Sequence, residues 1–550
     1  MQPIIECVPN FSEGNDLAII QQITNEIESV EGVRLLNVDP GKTTNRTVVT
    51  MVGHPVAVLE AAFRAIKKAG ELIDMSKHKG EHPRMGATDV CPLIPIANIS
   101  MEETAAFAQG LAKRVGEELQ LPVYLYEAAQ PNKERSNLSV IRAGEYEGFA
   151  NKIILPEWKP DFGPAVFDEK KGATVIGARD FLVAYNVNLN TTSTRRANAI
   201  AFDIREAGRN VEENGVKINK PGSLKSVKAI GWFIEEYGVA QISINLTNIN
   251  ITPVHIAFDE VCKKAEARGI RVTGSELVGL IPLKAMLDAG KYFLQKQQRS
   301  IGVSEKELIK IAIKSMGLDE LSPFKPEERI IEYMLANKGD NKLVGMTLYE
   351  FADETASESP APGGGSIAAY VGSLGISLAT MVANLSSHKK GWGNRWEEFS
   401  NQAETGQQLK NELLQLVDAD TAAFNNILQA FALQKNTEEE KIIRHKAIQE
   451  ATKYAIEIPF KVMQASYASM EIIKAMAETG NPNSISDAGV GALCARTAVM
   501  GAYMNVRINA AGYDDKVFVK ELVARGNQLQ NDVIALEADI LKIVNEKIGL

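Results

Sequence analysis

The residues best suited to chemistry in the first part of this chain lie in one run, His78-Lys79-Gly80-Glu81-His82-Pro83-Arg84-Met85-Gly86-Ala87-Thr88-Asp89-Val90. His82 could titrate near neutrality, Arg84 could bind a carboxylate, and Asp89 could orient an imidazole or an amine. A lone histidine more often caps a turn or fills a polar gap, but here the partners follow closely in sequence. The run therefore predicts a general-base site for an anionic substrate.

The same run formally matches H-x-x-E-H, an inverted zinc-peptidase pattern. That pattern needs one continuous helix, whereas Gly80 lies inside it and Pro83 directly follows it. Both residues oppose helical geometry, so His78 and His82 would not share a helix face. We therefore predict a site without metal. A zinc-dependent amidohydrolase that uses His78 and His82 is the first alternative.

Candidate groups in the last third of the chain are a glycine-rich run and a pair of acids. Residues 359–366, Ser-Pro-Ala-Pro-Gly-Gly-Gly-Ser, lack the lysine of a phosphate-binding loop. What remains is a helix start at Ser366, whose backbone amides could bind an anion or could simply need tight packing. Asp418 and Asp420 flank an apolar helix stripe, and helical spacing places Asp420 nearer to that stripe.

The elements that must position these groups follow one order twice, strand, helix, two strands, helix, strand. This β-α-β-β-α-β order predicts two ferredoxin-like subdomains with a groove between them that could hold a ligand. After residue 342 the chain becomes helical and predicts an all-α domain that self-associates. The predicted strands are 4–8, 33–38, 46–52, 90–94, 123–126, 182–189, 227–233, 239–246 and 270–272, and the main predicted helices are 16–29, 55–72, 192–207, 253–268, 366–386, 396–433 and 436–467.

Composition restricts the functional classes that fit the chain. Its 550 residues are 45% hydrophobic and 23% charged, as in ordinary globular proteins of several folding units. A formal net charge of -9 argues against a nucleic-acid surface. No secretory signal and no long uncharged apolar run are recognised, so we expect a cytoplasmic protein without a membrane segment.

Four motifs in about the first 330 residues resemble the glutamate formiminotransferase family: residues 6–14 (ECVPNFSEG), 78–90, 172–179 (GATVIGAR) and 277–282 (LVGLIP). The family fold is two ferredoxin-like subdomains facing a groove, as the elements predict. The resemblance implies transfer of a formimino group from N-formimino-glutamate to tetrahydrofolate, with His82 as the catalytic histidine. It also implies a folate-binding stretch of Gly163, Pro164, Ala165, Val166, Phe167, Asp168, Glu169, Lys170, Lys171 and Gly172.

This chemistry suits the first candidate site. The attacking folate nitrogen must lose a proton, and the departing glutamate nitrogen must gain one. A neutral His82 could carry that proton, a contribution of roughly a hundred- to ten-thousandfold in rate. Candidates for the supporting roles are Arg84, Arg46 or Lys42 for the glutamate carboxylates and Asp39 or Asp89 for orienting His82.

Motifs in the last 200 or so residues are similar to the formiminotetrahydrofolate cyclodeaminase family, which is all-α and dimer-forming: 361–366 (APGGGS), 416–420 (LVDAD), 436–441 (NTEEEK) and 501–506 (GAYMNV). The resemblance implies Asp418 as the catalytic acid and base and Arg444 as a folate contact. Asp420, which periodicity prefers, stays open. The implied reaction closes a second folate nitrogen onto the formimino carbon and releases ammonia.

The order of the two parts also resembles the fused family that carries both activities. That resemblance implies a homo-oligomer, a polyglutamylated tetrahydrofolate as co-substrate and no metal. The predicted boundaries are 1–180 and 181–328 for the two subdomains, 329–345 for a linker and 346–550 for the helical domain. A non-catalytic folate-binding protein is the second alternative.

Overall fold

A computed structural model describes residues 3–42, 44–80, 83–213, 216–335 and 343–549. His82 and Glu81 lie outside the described residues, as do residues 336–342 of the predicted linker. The chain divides into two compact units: Met1–Ala285 with Met316–Leu335, and Met286–Ser315 with Ala336–Leu550. The first contains α-helices and β-sheets and the second is helical, which confirms the predicted order of fold classes.

The first sheet of unit 1 has seven strands, in the order β1-β4-β2-β5-β7-β6 with β3 paired to β4. All pairs are antiparallel except β5 with β7 and β7 with β6. Its elements are β1 (Ile4–Cys7), β2 (Asn10–Phe11), α1 (Leu17–Glu28), β3 (Val33–Gly41), β4 (Arg46–Gly53), α2 (Pro55–Leu72), β5 (Thr88–Ala97), α3 (Met101–Glu118), β6 (Val123–Glu127), α4 (Leu138–Ile141), α5 (Glu145–Lys152) and β7 (Thr174–Ala178).

Alternation along β1 separates the two faces of this sheet. Ile5 and Cys7 are fully buried in a core that also contains apolar residues of α1, α2 and α3. Because successive strand residues point to opposite faces, Glu6 points away from these helices. Helix α3 begins with a capping box, in which the Glu103 N–H donates to Ser100 Oγ (3.1 Å) and the Ser100 N–H donates to Glu103 Oε2 (2.8 Å).

The second sheet of unit 1 is antiparallel, in the order β11-β12-β8-β13. Its strands and helices are β8 (Val183–Leu189), α6 (Thr194–Ile204), β11 (Val227–Ile234), β12 (Val239–Leu246), α7 (Val254–Glu266) and β13 (Val272–Val278). A separate pair, β9 (Arg209–Glu213) and β10 (Val216–Lys220), is antiparallel and was not predicted. Its sequences, RNVEE and VKINK, are too polar and too short to give a strand signal.

The helical unit is built from long helices. This unit contains most of α8 (Leu283–Lys296) and of α9 (Glu305–Met316), followed by α12 (Leu348–Ala356), α13 (Gly364–Ser387), α14 (Trp396–Ala432), α15 (Glu438–Thr479), α16 (Ile485–Ala510) and α17 (Lys516–Ile548). The short helices α10 (Pro326–Arg329) and α11 (Ile331–Leu335) belong to unit 1. Residues 286–315 thus group with the helical unit, whereas the predicted boundary placed them in the second subdomain. One contact that holds them there is the Ile301 N–H, which donates to Ser400 Oγ at 3.0 Å.

Helix α13 corrects one expectation, since by length and composition it is apolar enough to cross a membrane. Its mean hydropathy reaches 1.6 over an 18-residue window, of which 61% is buried inside the structure. Its many alanine and glycine residues let α14, α15 and α16 pack closely against it. Burial in the bundle accounts for the apolar composition.

Gly86 illustrates how tightly backbone segments approach one another in unit 1. A Cβ atom there would lie 2.3 Å from Ala173 O and 2.5 Å from Lys171 O. Gly86 also bridges to Gly172, and its carbonyl accepts the Ser12 hydroxyl at 2.8 Å. Only glycine fits at this junction.

We therefore expect Gly86→Ala to lower the free energy of unfolding by roughly 1–3 kcal/mol, because the strand junction must open to admit a methyl group. Gly110→Ala is the matched control, since a Cβ atom there meets nothing within 4 Å inside α3. That change should be neutral or should stabilise by about 0.5–1 kcal/mol. Denaturant unfolding of both variants measures the difference, and equal stability of the two would contradict the packing argument.

Candidate active sites

Three loops of unit 1 are joined through the side chain of Asn45, which follows the turn between β3 and β4. Asn45 Oδ1 accepts the Gly14 N–H (3.0 Å) and the Asn15 side chain (2.8 Å). Its Nδ2 donates to Lys79 O at 2.9 Å. The loop after β2, the β3–β4 turn and the segment that precedes His82 therefore come together at one place.

His78 is held by both of its ring nitrogens. Arg84 Nε donates to His78 Nδ1 (3.1 Å), and His78 Nε2 lies 2.8 Å from Asn45 O. A guanidinium can only donate and a carbonyl can only accept, so the proton of the ring is on Nε2. Neither nitrogen is left to bind a metal ion. The residues beside His82 that are described, Gly80 and Pro83, are also outside any helix, which removes the geometry required by the zinc-peptidase pattern.

The Arg84 guanidinium is already paired with carboxylates of the protein. Its Nη2 donates to Glu147 Oε1 at 2.6 Å and its Nη1 to Glu147 Oε2 at 3.1 Å. Glu145 Oε2 lies 3.6 Å from Nη1. A carboxylate of a substrate would have to displace this bidentate pair, so the geometry favours other cations for that role.

Asp89, in β5, is fully buried, and its carboxylate accepts hydrogen bonds from the surrounding protein. It accepts the Met85 N–H at 3.1 Å and forms an ion pair with Arg142, whose Nε and Nη2 both point to the carboxylate. Burial raises the pKa of Asp89, and Arg142 and Arg46 oppose that rise. The described contacts of Asp89 therefore orient an arginine. Whether it also orients His82 stays a prediction.

A groove between the two sheets of unit 1 carries most of the remaining polar groups. It consists of a cavity of about 740 Å³ and an adjoining one of about 400 Å³. The two share Asn10, Arg46, Arg179, Leu182 and Asn245, so Arg46 and Arg179 lie where they meet. Arg142, Lys228, Glu127 and Asp180 line the larger cavity, and Glu6 and Asp39 line the smaller one.

The predicted folate-binding stretch packs against the run that contains His82. Ala87 N–H donates to Lys171 O (2.9 Å), and Ala173 N–H donates to Met85 O (3.0 Å). Asp168 Oδ1 shapes the stretch by accepting the N–H groups of Lys170 and Lys171, both at 2.9 Å. The two motifs are therefore neighbours, although residues 163–172 do not line either cavity of the groove.

In the helical unit, Asp420 lies directly against the glycine-rich helix start. Its Oδ2 accepts the Ser366 N–H (2.9 Å) and the Ser366 hydroxyl (3.0 Å), and a Cβ atom on Gly365 would lie 2.2 Å from Oδ1. Burial raises the pKa of Asp420, while the Ser366 hydrogen bonds oppose the rise. Asp420 also lines a cavity of about 110 Å³, with Gly363, Gly364, Thr421, Phe424, Asn505 and Asn509.

Asp418 and Arg444 lie elsewhere among the described residues. Asp418 Oδ1 accepts the Leu343 N–H at 3.1 Å and does not line the cavity. Arg444 donates from Nη2 to Phe431 O at 3.1 Å and lies over the Phe431 ring. Geometry therefore brings Asp420 together with the glycine-rich run and leaves Asp418 and Arg444 outside that set.

Sequence reasoning did not single out Glu6 or Arg142. Glu6 had a readable signal, because a carboxylate stands alone inside the apolar strand Ile4-Ile5-Glu6-Cys7-Val8. Arg142 had none. It follows the short helix α4, in a stretch for which hydrophobic periodicity predicts no element, and only the tertiary contact with Asp89 identifies it.

Three protein families match successive parts of the chain. The family described as "Formiminotransferase domain, N-terminal subdomain" matches residues 4–179, "Formiminotransferase domain" matches 184–336, and "Formiminotransferase-cyclodeaminase" matches 347–528. The chain is 44% identical over 548 residues to the formimidoyltransferase-cyclodeaminase of Gallus gallus, with 100% of both chains covered.

Two shorter relatives match parts of the chain. A glutamate formimidoyltransferase of Thermoplasma acidophilum is 44% identical over 294 residues, which cover 53% of this chain and 92% of that protein. A methenyltetrahydrofolate cyclohydrolase of Methylorubrum extorquens is 36% identical over 203 residues, which cover 37% of this chain and 98% of that protein.

Burial raises the pKa of Glu6 to about 7, with Arg179 opposing the rise, against 4.5 for an exposed group. The folded state then holds this proton more tightly than the unfolded state. Its contribution to stability is complete below pH 4.5 and is lost as the pH rises through 7, a change of roughly 3 kcal/mol. Glu6→Gln lacks that titration, so its stability relative to the parent should increase by about this amount between pH 4.5 and 7.5. Denaturant titrations without ligand measure it, and a pH-independent difference would contradict the assignment.

Proposed function

The chain belongs to the formimidoyltransferase-cyclodeaminase family, and we propose that it catalyses both reactions of that family in succession. The formimino group of N-formimino-L-glutamate is transferred to tetrahydrofolate, which gives glutamate and 5-formiminotetrahydrofolate. Cyclisation then gives 5,10-methenyltetrahydrofolate and ammonia. The observation that carries this conclusion is the 44% identity to a bifunctional relative over the full length of both chains.

We propose that the first reaction occurs in unit 1, with His82 as general base. In the transfer, tetrahydrofolate nitrogen N5 bonds to the formimino carbon, and the bond from that carbon to the glutamate nitrogen breaks. His82 takes the proton from N5 and gives it to the glutamate nitrogen, so no net proton is consumed. The loops joined by Asn45 support this role, because they fix the segments that flank His82.

The glutamate carboxylates are assigned to Arg46 and Arg142 in preference to Arg84. Arg142 directs two nitrogens to the buried Asp89, and its Nη1 makes no hydrogen bond within the described parts of the chain. A guanidinium fixed in this way loses little conformational entropy on binding an anion. Arg84, in contrast, is neutralised by Glu147. Asp39 lines the same groove and remains a candidate for orienting His82.

We also propose that unit 1 contains two ferredoxin-like subdomains. A ferredoxin-like subdomain has the strand order 4-1-3-2 in a β-α-β-β-α-β unit. The order β13-β8-β12-β11 fits this pattern, and so does β5-β1-β4-β3 in the larger sheet. We infer that the folate contacts include residues 163–172, because the Lys171 carbonyl accepts the Ala87 N–H of the run that contains His82.

The second reaction is assigned to the helical unit, with Asp420 as the acid and base. Nitrogen N10 of the folate must lose a proton while the amino group that becomes ammonia gains one. A carboxyl group whose pKa is raised by burial can both accept and donate a proton more readily than an exposed one. Asp420 has this burial and lines a cavity with Asn505 and Asn509. Asp418, which the family resemblance favours, contacts a backbone amide instead and is the alternative.

We also propose that the protein is a cytoplasmic homo-oligomer, that its folate is polyglutamylated and that neither reaction uses a metal ion. Exposed apolar side chains support self-association: Leu374, Met381 and Leu385 recur on one face of α13 at spacings of seven and four residues. Such a face is usually covered by a partner. Both ring nitrogens of His78 are occupied, which supports a mechanism without zinc at that residue.

Three single variants separate the two activities. His82→Asn should reduce formimino transfer by about a hundred- to ten-thousandfold and leave ammonia release from supplied 5-formiminotetrahydrofolate intact. Asp420→Asn should do the reverse. Asp418→Asn is the matched control, of the same charge and two residues away, and should retain most of its cyclodeaminase rate.

Each rate is measured separately, with circular dichroism to confirm folding. If Asp418→Asn lost ammonia release and Asp420→Asn kept it, the assignment of the acid would be wrong. Undiminished transfer by His82→Asn would reject the general base. Folate binding without either activity in the parent protein would support the non-catalytic alternative.

A further inference from the structure

Glu6 is a largely buried residue that lines the groove of unit 1. Only 4% of the residue is exposed, yet no hydrogen bond or ion pair to its carboxyl group occurs among the described residues. Its position in the middle of β1, next to two fully buried strand neighbours, prevents it from turning to bulk solvent. Asp89 and Asp420, in contrast, each accept at least two hydrogen bonds.

The carboxyl group is nevertheless directed into the groove, because Glu6 lines the smaller of its two cavities. Burial raises the pKa of Glu6 to about 7, and the charge of Arg179 only partly offsets this. Leaving a buried acceptor unsatisfied costs free energy, which a ligand with N–H groups would recover on binding. The described residues therefore supply no hydrogen-bond donor to the Glu6 carboxyl group.

The charges of the groove define what kind of ligand fits. Arg46 and Arg179 lie where the two cavities meet, and Arg142 extends the basic lining into the larger cavity. Glu6 and Asp39 line the smaller cavity. Glu127 and Asp180 also line the larger cavity. A ligand that extends from the junction into the smaller cavity would meet Arg46 and Arg179 at one end and Glu6 and Asp39 at the other.

N-formimino-glutamate has this pattern. Its two carboxylates form one end, and its formimino group, an amidine, forms the other. Amidines are strong bases, so the group is a planar cation near neutrality with N–H donors directed to one side. A carboxylate binds such a cation through charge-assisted hydrogen bonds, as it binds a guanidinium.

From this match, which rests on the proposed function, we infer that Glu6 binds the formamidinium group of the substrate and selects it over the neutral formyl group. N-formyl-glutamate keeps both carboxylates and the same chain length, but it replaces a cationic nitrogen by a carbonyl oxygen. That oxygen can only accept, and Glu6 in its ionised form can only accept as well. The two ligands therefore differ at the atom that Glu6 would contact.

The test uses the full chain and these two compounds as probes. KM for N-formimino-L-glutamate and the inhibition constant of N-formyl-L-glutamate are measured at saturating tetrahydrofolate for the parent, Glu6→Gln and Glu6→Asp. The exposed Glu157→Gln controls for the loss of one negative charge. Equilibrium binding of 5-formyltetrahydrofolate is measured on each protein as an independent readout.

We expect the parent to prefer the formimino compound and Glu6→Gln to lose about ten- to a hundredfold of that preference, mainly through a higher KM. Glu6→Asp, which keeps the charge, should retain part of the preference. Folate binding should not change in any variant. Glu157→Gln should resemble the parent.

Three results would overturn the inference and leave the transferase assignment standing. The first is an equal loss of affinity for both compounds in Glu6→Gln. The second is a loss of folate affinity in Glu6→Gln, as expected if Glu6 bound the pterin. The third is no change in any of these quantities in Glu6→Gln. If Glu6→Gln does not fold, the test uses the affinities of the parent protein alone. Equal affinity of the parent for the formimino and formyl compounds excludes recognition of the cation. Failure of the parent to transfer the formimino group would instead reject the proposed function.

Discussion

A carboxylate that is withdrawn from water must be matched by hydrogen-bond donors or by a cation, and the candidate sites of both units are arranged around this requirement. In the first unit, Asp89 receives the Met85 N–H and the Arg142 guanidinium and so fixes a cation at the wall of the groove. In the helical unit, Asp420 receives the backbone and hydroxyl groups of Ser366 at the start of α13. Glu6 departs from this rule, and that departure is what points to a ligand.

Close backbone packing makes these arrangements rigid. Gly86 and Gly365 occupy positions where a side chain would collide with a carbonyl group or with the Asp420 carboxylate. Asn45 joins three loops with its amide group, so the segment that precedes His82 is held by a residue more than thirty positions away in sequence. Such fixed loops suit a transfer reaction, because holding two reactants in the correct orientation removes much of the entropic barrier.

Much of this organisation was readable from the sequence. Periodicity predicted α1, α2 and the long helices, since these depend on local hydrophobic patterns. The run that contains His82 predicts a site because its residue types are unusual together. What could not be predicted was which charges pair across the fold. Nothing in the local sequence shows that Glu147 pairs with Arg84, or that Asp89 fixes Arg142 at the groove. Long-range pairing of this kind leaves no trace in local spacing.

Assignment of two chemistries to two separate units is the central claim, and mixing variants tests it most directly. His82→Asn and Asp420→Asn proteins, each unable to convert N-formimino-glutamate and tetrahydrofolate into 5,10-methenyltetrahydrofolate alone, are combined in equal amounts. Formation of the methenyl product is followed by absorbance, with the double variant as control. We predict that the mixture recovers product and ammonia while the double variant does not. A mixture as inactive as the double variant, under conditions where each protein retains its own single activity, would contradict the account.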